Sequence, residues 1–369
     1  MHGREIVSRC RNGSMNLSFD TIIAGSGLAG ASAAFVLSEN ERVLVLDARQ
    51  PGSGASGVPL GLVSPLMARR ARPVWRMEEA VRSFHYVLEE SKASSRFSAC
   101  GVRKPARSSE QAIEFKDAAM KWPHHGSWFE PEPATERWPH LFSKYGVLDV
   151  MSGGIVHMPD YCQALIRAAR ERGAASKSAC SIEAWEDRGD HISAKLSTNE
   201  ELTARRLLLC LGEGYTEFPE LHALHLHPIK GQWIRLTSPD DLKNSVAVSS
   251  RSFLAMDDEG IVVGSSYEHV YSDLEPTEAV ITMLHKEACL LVPSLEGSTV
   301  IDAGAGVRVT VPEVRLPMLG PLPGRKNVWV FTGLGAKGLL MAPLLARELP
   351  KFFAKPSAIP REISVNLHS

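Results

Sequence analysis

The sequence lacks any apolar run of the roughly 18 residues needed to cross a bilayer, and its opening, MHGREIVSRCRNGSMN, has no apolar centre of the kind a secretory signal carries. The expectation is a soluble cytoplasmic protein with no membrane partner. Charge of one sign is also missing. With 41 Lys and Arg against 42 Asp and Glu the net charge is −1, which excludes a protein held on nucleic acid by bulk charge and leaves room only for a local basic patch. No C-x-x-C pair occurs. Cys10, Cys100, Cys162, Cys180, Cys210 and Cys289 lie far apart and read as reduced thiols. No metal is expected either: His222, His225 and His227 lie close together, but no carboxylate or cysteine accompanies them at ligand spacing.

What is present is an ordinary globular composition, with 44% apolar and 22% charged residues. The 369 residues correspond to two or three structural units, large enough to need no disulfide or metal staple. Residues 1–14 are polar and Met15 immediately precedes the first patterned segment, so 1–18 reads as a tail or an overlong start.

Phe19 to Ala24 (FDTIIA) is a short β-branched run that stops at GSGLAG and is followed by the helical pattern ASAAFVLSE. A second run, RVLVL, ends at Asp47 and completes a βαβ unit. From Val74 to about Leu148 the texture shifts to helical patterns and then to a stretch rich in Trp, Pro and His, including Trp122, Trp128 and Trp138; this reads as a separate lobe. A helix is predicted over Pro159 to Arg172, and a strand-like run, RLLLCL, ends at Gly212. Pro228 to Tyr267 alternates as antiparallel strands do. Asn327 to Leu349 repeats the strand, glycine turn and helix of the N-terminal region.

In GSGLAG, Gly25 suits the tight turn, Gly27 lets the backbone approach a pyrophosphate, and Gly30 lets the helix pack closely on the strand. Ser26, Leu28 and Ala29 complete that cofactor-binding loop. Asp47, followed by Ala48, ends the second strand where an acid can accept hydrogen bonds from an unphosphorylated ribose. These residues predict dinucleotide binding and leave FAD and NAD equally open.

GASGVPLGLVSP (Gly54 to Pro65), PIKGQ (Pro228 to Gln232) and GLGAKGLLMAP (Gly333 to Pro343) occur in an order that resembles the FAD-dependent D-amino-acid oxidase and glycine oxidase family. The resemblance runs from Phe19 to Leu349, and within the family it is nearest to the flavin module of MnmC enzymes, which modify the tRNA wobble uridine. It implies non-covalent FAD, with Gly54, Ala55, Ser56, Gly61, Leu62 and Gly212 beside the cofactor. It also implies that Gly335, Ala336, Lys337, Gly338 and Leu339 open a helix whose positive end faces the flavin. Lys337 either adds to that field or is a solvated side chain.

The same resemblance makes Arg308 the residue that grips a substrate carboxylate; its structural alternative is an ion pair with Glu313. Two departures stand out. One extra residue lies between Arg308 and Pro317, with Glu313 where many relatives have Asp, and Phe253 stands where glycine oxidase has a tyrosine. Tyr267 is the candidate replacement for that hydroxyl, or a packing residue. Arg69, Arg70, Arg72 and Arg76 form a basic cluster that reads either as a phosphate-binding face or as a solvated helix entry.

The predicted fold is α/β. It has a doubly wound, Rossmann-like FAD domain from 19–73, 149–215 and 300–369, and a mostly antiparallel substrate lobe from 74–148 and 216–299. The implied function is oxidation of a C–N bond in a carboxylate-bearing amine by hydride transfer to flavin. Two substrates compete: the carboxymethylaminomethyl group of a tRNA wobble uridine, and a free amino acid or N-substituted glycine. Oxygen is one candidate electron acceptor. A reading of a different class is a non-catalytic flavoprotein that binds a partner or nucleic acid, against which the retained Arg308 argues.

Overall fold

The computed structural model describes residues 17–67, 69–240, 242 and 246–365. The tail expected over 1–14 and the start at Met15 lie outside the described residues. Among the described residues, no helix is long and apolar enough to cross a membrane.

The first layer is a parallel sheet. Phe19–Ala24 pairs in parallel with Val43–Leu46 on one side and with Glu201–Leu209 on the other. Ala175–Lys177 extends the sheet beyond Val43–Leu46, and Val328–Thr332 extends it beyond Glu201–Leu209. Both faces are covered, so the strands are short, nearly unbroken apolar runs such as VLVL and VWVFT. The opening residues of Glu201–Leu209 instead pair antiparallel with Ile192–Leu196, which continues into Ile182–Asp187 as a meander.

Leu28–Leu37 is buried on nearly every side because it packs between the helices Met158–Glu171 and Gly338–Ala354. Its composition, LAGASAAFVL, follows from that position: small residues admit two neighbouring helices, and nothing polar need face water.

The second layer is an eight-stranded sheet in the order Val300–Thr310, His227–Leu236, Gly260–Gly264, Phe253–Asp257, Ala247–Ser249, Val102–Pro105, Val147–Val150, Gly126–Phe129. All neighbours are antiparallel except Ala247–Ser249 and Val102–Pro105, where the Val248 and Arg103 bridge is parallel. Segments from both halves of the expected substrate lobe thus meet in one sheet.

The boundary drawn at 300 does not follow this sheet. Val300–Thr310 pairs along His227–Leu236 from Leu236 opposite Val300 to His227 opposite Thr310, so Arg308 stands on the second sheet and the chain returns to the first only afterwards. Its small residues (GAG) lie opposite Trp233 and its neighbours. At Gly304 an added Cβ would sit 2.7 Å from the Trp233 ring. That close fit fixes the pairing.

Candidate active site

A cavity of about 810 Å³ opens where the two sheets meet. Its floor is the glycine turn. Gly25 has φ +97°, and a Cβ there would lie 2.3 Å from the Cys210 carbonyl oxygen. A Cβ on Gly30 would lie 1.8 Å from the Gly25 carbonyl oxygen, so turn and helix approach as only glycine permits. Gly25, Gly27, Leu28 and Ala29 line the cavity, whereas Ser26 and Gly30 act behind the surface.

Ser26 donates its backbone N–H and its hydroxyl to Asp47 Oδ2, at 2.7 and 2.5 Å. Asp47 Oδ1 accepts the Arg49 N–H at 2.9 Å. The carboxylate is thereby clamped at the end of its strand while still lining the cavity with Ala48.

Gly54, Ala55 and Ser56 form the adjoining wall. Ser56 is buried, and its hydroxyl accepts the Leu28 N–H at 3.1 Å, joining this short turn to the start of the first helix. Gly61 and Leu62 line the next stretch, and Gly212, at φ +57°, closes the side beside Cys210. Gly335, Ala336, Gly338 and Leu339 line the opposite wall at the start of Gly338–Ala354, which has no acid in its first turn. Lys337 is not among the lining residues: its ammonium donates to the Arg315 carbonyl at 2.6 Å, and burial lowers its pKa.

Arg308 lines the same cavity from the second sheet. Its Nη2 donates to the Ser265 hydroxyl and to the Ser266 carbonyl, the latter at 3.3 Å. Among the described residues no carboxylate pairs with it, Glu313 included. Burial pulls its pKa below the usual guanidinium range, and it remains a cation. The result is a largely desolvated positive charge on the cavity wall with no carboxylate in ion-pair distance among the described residues. Tyr267 lies outside the lining, 56% exposed, with its ring 5.4 Å from the Arg308 guanidinium and packed edge-on to His269. Phe253, by contrast, lines the cavity.

Gly231 explains the glycine of PIKGQ. A Cβ there would stand 2.2 Å from Arg308 Nη2 and 3.2 Å from Ser265 Cβ. The guanidinium is the flexible member of that contact, so Gly231→Ala is expected to move Arg308 rather than unfold the sheet. KM for a carboxylate-bearing substrate should rise by about 10–100-fold while the flavin spectrum stays unchanged. Steady-state kinetics on the flavin-loaded variant check this.

The histidines diverge. His222 faces the Thr216 carbonyl at 3.0 Å, His225 takes a left-handed turn, and His227 meets His269 at 2.7 Å. Among the described residues no group of three His, Cys, Asp or Glu side chains could hold a metal.

The family model for FAD dependent oxidoreductases of the D-amino-acid oxidase type (DAO) matches residues 20–350. The chain belongs to this family. Glycine oxidase of Pseudomonas putida is 26% identical over 346 residues, covering 89% of this chain and 92% of that protein. The tRNA 5-methylaminomethyl-2-thiouridine biosynthesis bifunctional protein MnmC of Polaromonas sp. is 27% identical over 399 residues, covering 93% of this chain and 58% of that longer protein. Among solved structures, glycine oxidase from Geobacillus kaustophilus superposes with a TM-score of 0.78 at 21% identity, covering 92% of this chain and 95% of that one. L-proline dehydrogenase from P. horikoshii reaches 0.80 at 16% identity, covering 93% and 95%. These structures share the α/β fold, and the protein is an FAD-dependent oxidoreductase.

The residues present fit FAD. The cavity volume lies in the roughly 300–1,000 Å³ range of cofactor sites. The helix start at Gly27 and Leu28 presents its positive end and no first-turn acid to a pyrophosphate, with the Leu28 N–H held by Ser56. Asp47 keeps lone pairs for a ribose diol after its bonds to Ser26 and Arg49. The second helix start, at Gly338, offers a positive field to the flavin end. Cys210 lines the cavity beneath the glycine turn, and burial raises its thiol pKa, which keeps it protonated and poorly nucleophilic.

In this flavoenzyme the cavity also holds residues that motif reading missed. Arg49 and Glu213 flank the Asp47 end, and burial pushes the Glu213 carboxyl up. Ser249 lines the opposite region and accepts from Lys104 Nζ at 3.2 Å. Lys104 is buried with no carboxylate in ion-pair distance among the described residues, and desolvation pushes its ammonium down to about 8.

That shift has a sign. The unfolded chain titrates Lys104 near about 10.4, so between about pH 8 and pH 10.4 the unfolded state binds more protons and stability rises with pH. Below pH 8 the full cost of the buried cation is present. Lys104→Met is expected to stabilise the protein at neutral pH by about 2–3 kcal/mol, with the gain shrinking at pH 10.5. Urea midpoints at the two pH values test this, and an equal gain at both would contradict the assignment.

Proposed function

We propose that the protein oxidises the C–N bond of an amine that carries a carboxylate. The observation that carries this reading is Arg308, a desolvated guanidinium on the cavity wall with no carboxylate partner among the described residues. A substrate carboxylate completes it with charge-assisted hydrogen bonds, fixing the carbon next to the amine. FAD, when bound, supplies the hydride acceptor. The protein supplies placement. Ser265 and Ser266 hold one edge of Arg308, Gly231 leaves room beneath it, and the helix start at Gly338 contributes a positive field. No general base is assigned, since an amine that binds neutral needs none.

The primary substrate reading is a small N-substituted glycine or amino acid, supported by similarity to glycine oxidases over nearly the full length of those proteins. A second reading, the carboxymethylaminomethyl group of a tRNA wobble uridine, is supported by the similarity to MnmC proteins. Anaerobic flavin bleaching distinguishes them. Glycine, sarcosine, proline and D-alanine form one panel, and tRNA bearing carboxymethylaminomethyl uridine forms the other. Bleaching by a free amine supports the first reading, and bleaching by the tRNA alone supports the second. A flavin-loaded protein that no carboxylate-bearing amine bleaches would sink both.

A further inference from the structure

The arginines that are clustered in sequence part company in the structure. Arg76 is bound by Glu79 and, in a two-bond fork, by Glu348. Arg70 pairs with Glu114 at 2.9 Å. Arg69 and Arg72 are left without an ion pair among the described residues, and the fold brings two arginines from other segments to Arg69. Because Val248 and Arg103 pair in parallel, the chains leaving those strands emerge together, carrying Arg251 and Arg107 to the same edge. Gln111 then ties Arg107 to Arg69: its side-chain oxygen accepts the Arg107 N–H at 2.9 Å, and its amide donates to the Arg69 carbonyl at 2.6 Å.

Arg69 and Arg107 line a surface cavity of about 430 Å³. All three arginines are exposed, and partial burial, followed by like-charge repulsion from Arg251 and Arg69, holds Arg107 below its ordinary pKa. Glu110 and Glu114 line the same cavity, and each is already bonded to another group. Glu114 holds Arg70, Glu110 accepts from Ser108 and its own N–H, and Glu287, the one carboxylate that acts on Arg107 from a distance, accepts the Ser252 hydroxyl. Among the described residues none of the three arginines has an ion-pair partner.

Position gives the cluster its meaning. Met67 and Ser249 line the large cavity, and Arg69 and Arg251 follow each of them by two residues. The cationic edge is therefore joined to the wall of the large cavity through Met67 and Ser249. We propose that Arg69, Arg107 and Arg251 form a phosphate-binding subsite at the rim of the active-site cavity, so that the oxidised amine belongs to a molecule that also bears phosphate. The subsite rests on the reading of the cavity as the place of amine oxidation, and three neighbouring guanidiniums without ion-pair partners among the described residues suit phosphate oxygens by charge. Phosphodiesters of RNA and a small phosphorylated amine share that chemistry.

The test uses the flavin-loaded full chain and the triple variant Arg69→Ala/Arg107→Ala/Arg251→Ala, with flavin content and thermal midpoint confirming that the variant is folded. A fluorescein-labelled RNA hairpin is titrated by anisotropy at several salt concentrations, and inorganic pyrophosphate by calorimetry. For an RNA source, the variant should lose at least about tenfold in hairpin affinity, with the salt slope reduced by about two to three. For a small phosphate source, pyrophosphate should bind the parent and not the variant, with the hairpin equal on both. Equal binding of both probes to parent and variant overturns the proposal. Flavin bleaching by free amines is read separately, so a failure of the oxidation reading is distinguishable from a failure of the subsite.

Discussion

Arg308→Met should leave a yellow, folded protein that scarcely turns over. Removing one partner of a desolvated charged hydrogen-bond pair costs about 2–5 kcal/mol, which corresponds to a fall in kcat/KM of about 30- to 5,000-fold toward a carboxylate-bearing amine. Stability should move the other way. The guanidinium has no protein counterion and is held only by Ser265 and Ser266, so its replacement by an apolar chain relieves a desolvation cost. The thermal midpoint is expected to stay level or rise. Arg308→Lys keeps charge but not the planar fork and should recover only part of the activity. A structural arginine would give the opposite pair of results, with lost stability and intact turnover. Kinetics and a thermal melt on the same preparation decide between them.

Gly30→Ala should abolish flavin binding. The added Cβ would fall 1.8 Å from the Gly25 carbonyl oxygen, a backbone atom in a turn already held at φ +97°. Neither side can yield cheaply, so the first helix must lift from the strand. Overpacking of this kind costs about 1–3 kcal/mol in stability, and it moves the N–H groups at Gly27 and Leu28 away from the pyrophosphate position. The expected product is a colourless protein with a lowered thermal midpoint. The ratio of flavin to protein absorbance reads this directly, and a normal flavin complement would contradict the close approach seen between Gly25 and Gly30.

The parts of the site legible in sequence are those made by neighbouring residues. GSGLAG shows its turn, its close approach and its helix start within six positions, and the closing segment at Gly333 to Leu339 repeats the device. Arg308 was legible through family resemblance. What surrounds it was not, because Gly231, Ser265 and Ser266 reach it through register between strands far apart in the chain. The second sheet took Val300–Thr310 for the same reason: nothing local to that segment names the strand it pairs with. Lys104 reads as an exposed cation in GVRKP, yet its position between two paired strands buries it. The basic cluster shows the limit most plainly. Of its four arginines Arg76 turns to Glu348, while Arg69 gains neighbours from positions 107 and 251.

Glu201–Leu209 accepts Phe19–Ala24 along one edge and Val328–Thr332 along the other, so the middle of the chain is flanked by its two extremes. During synthesis the first of these pairings can form as soon as residue 209 emerges, but the second must wait until more than a hundred further residues have been made. For that interval a strand ending in LLL shows bare N–H and C=O groups along one side. Until Val328–Thr332 arrives, that edge is open to pairing with another strand.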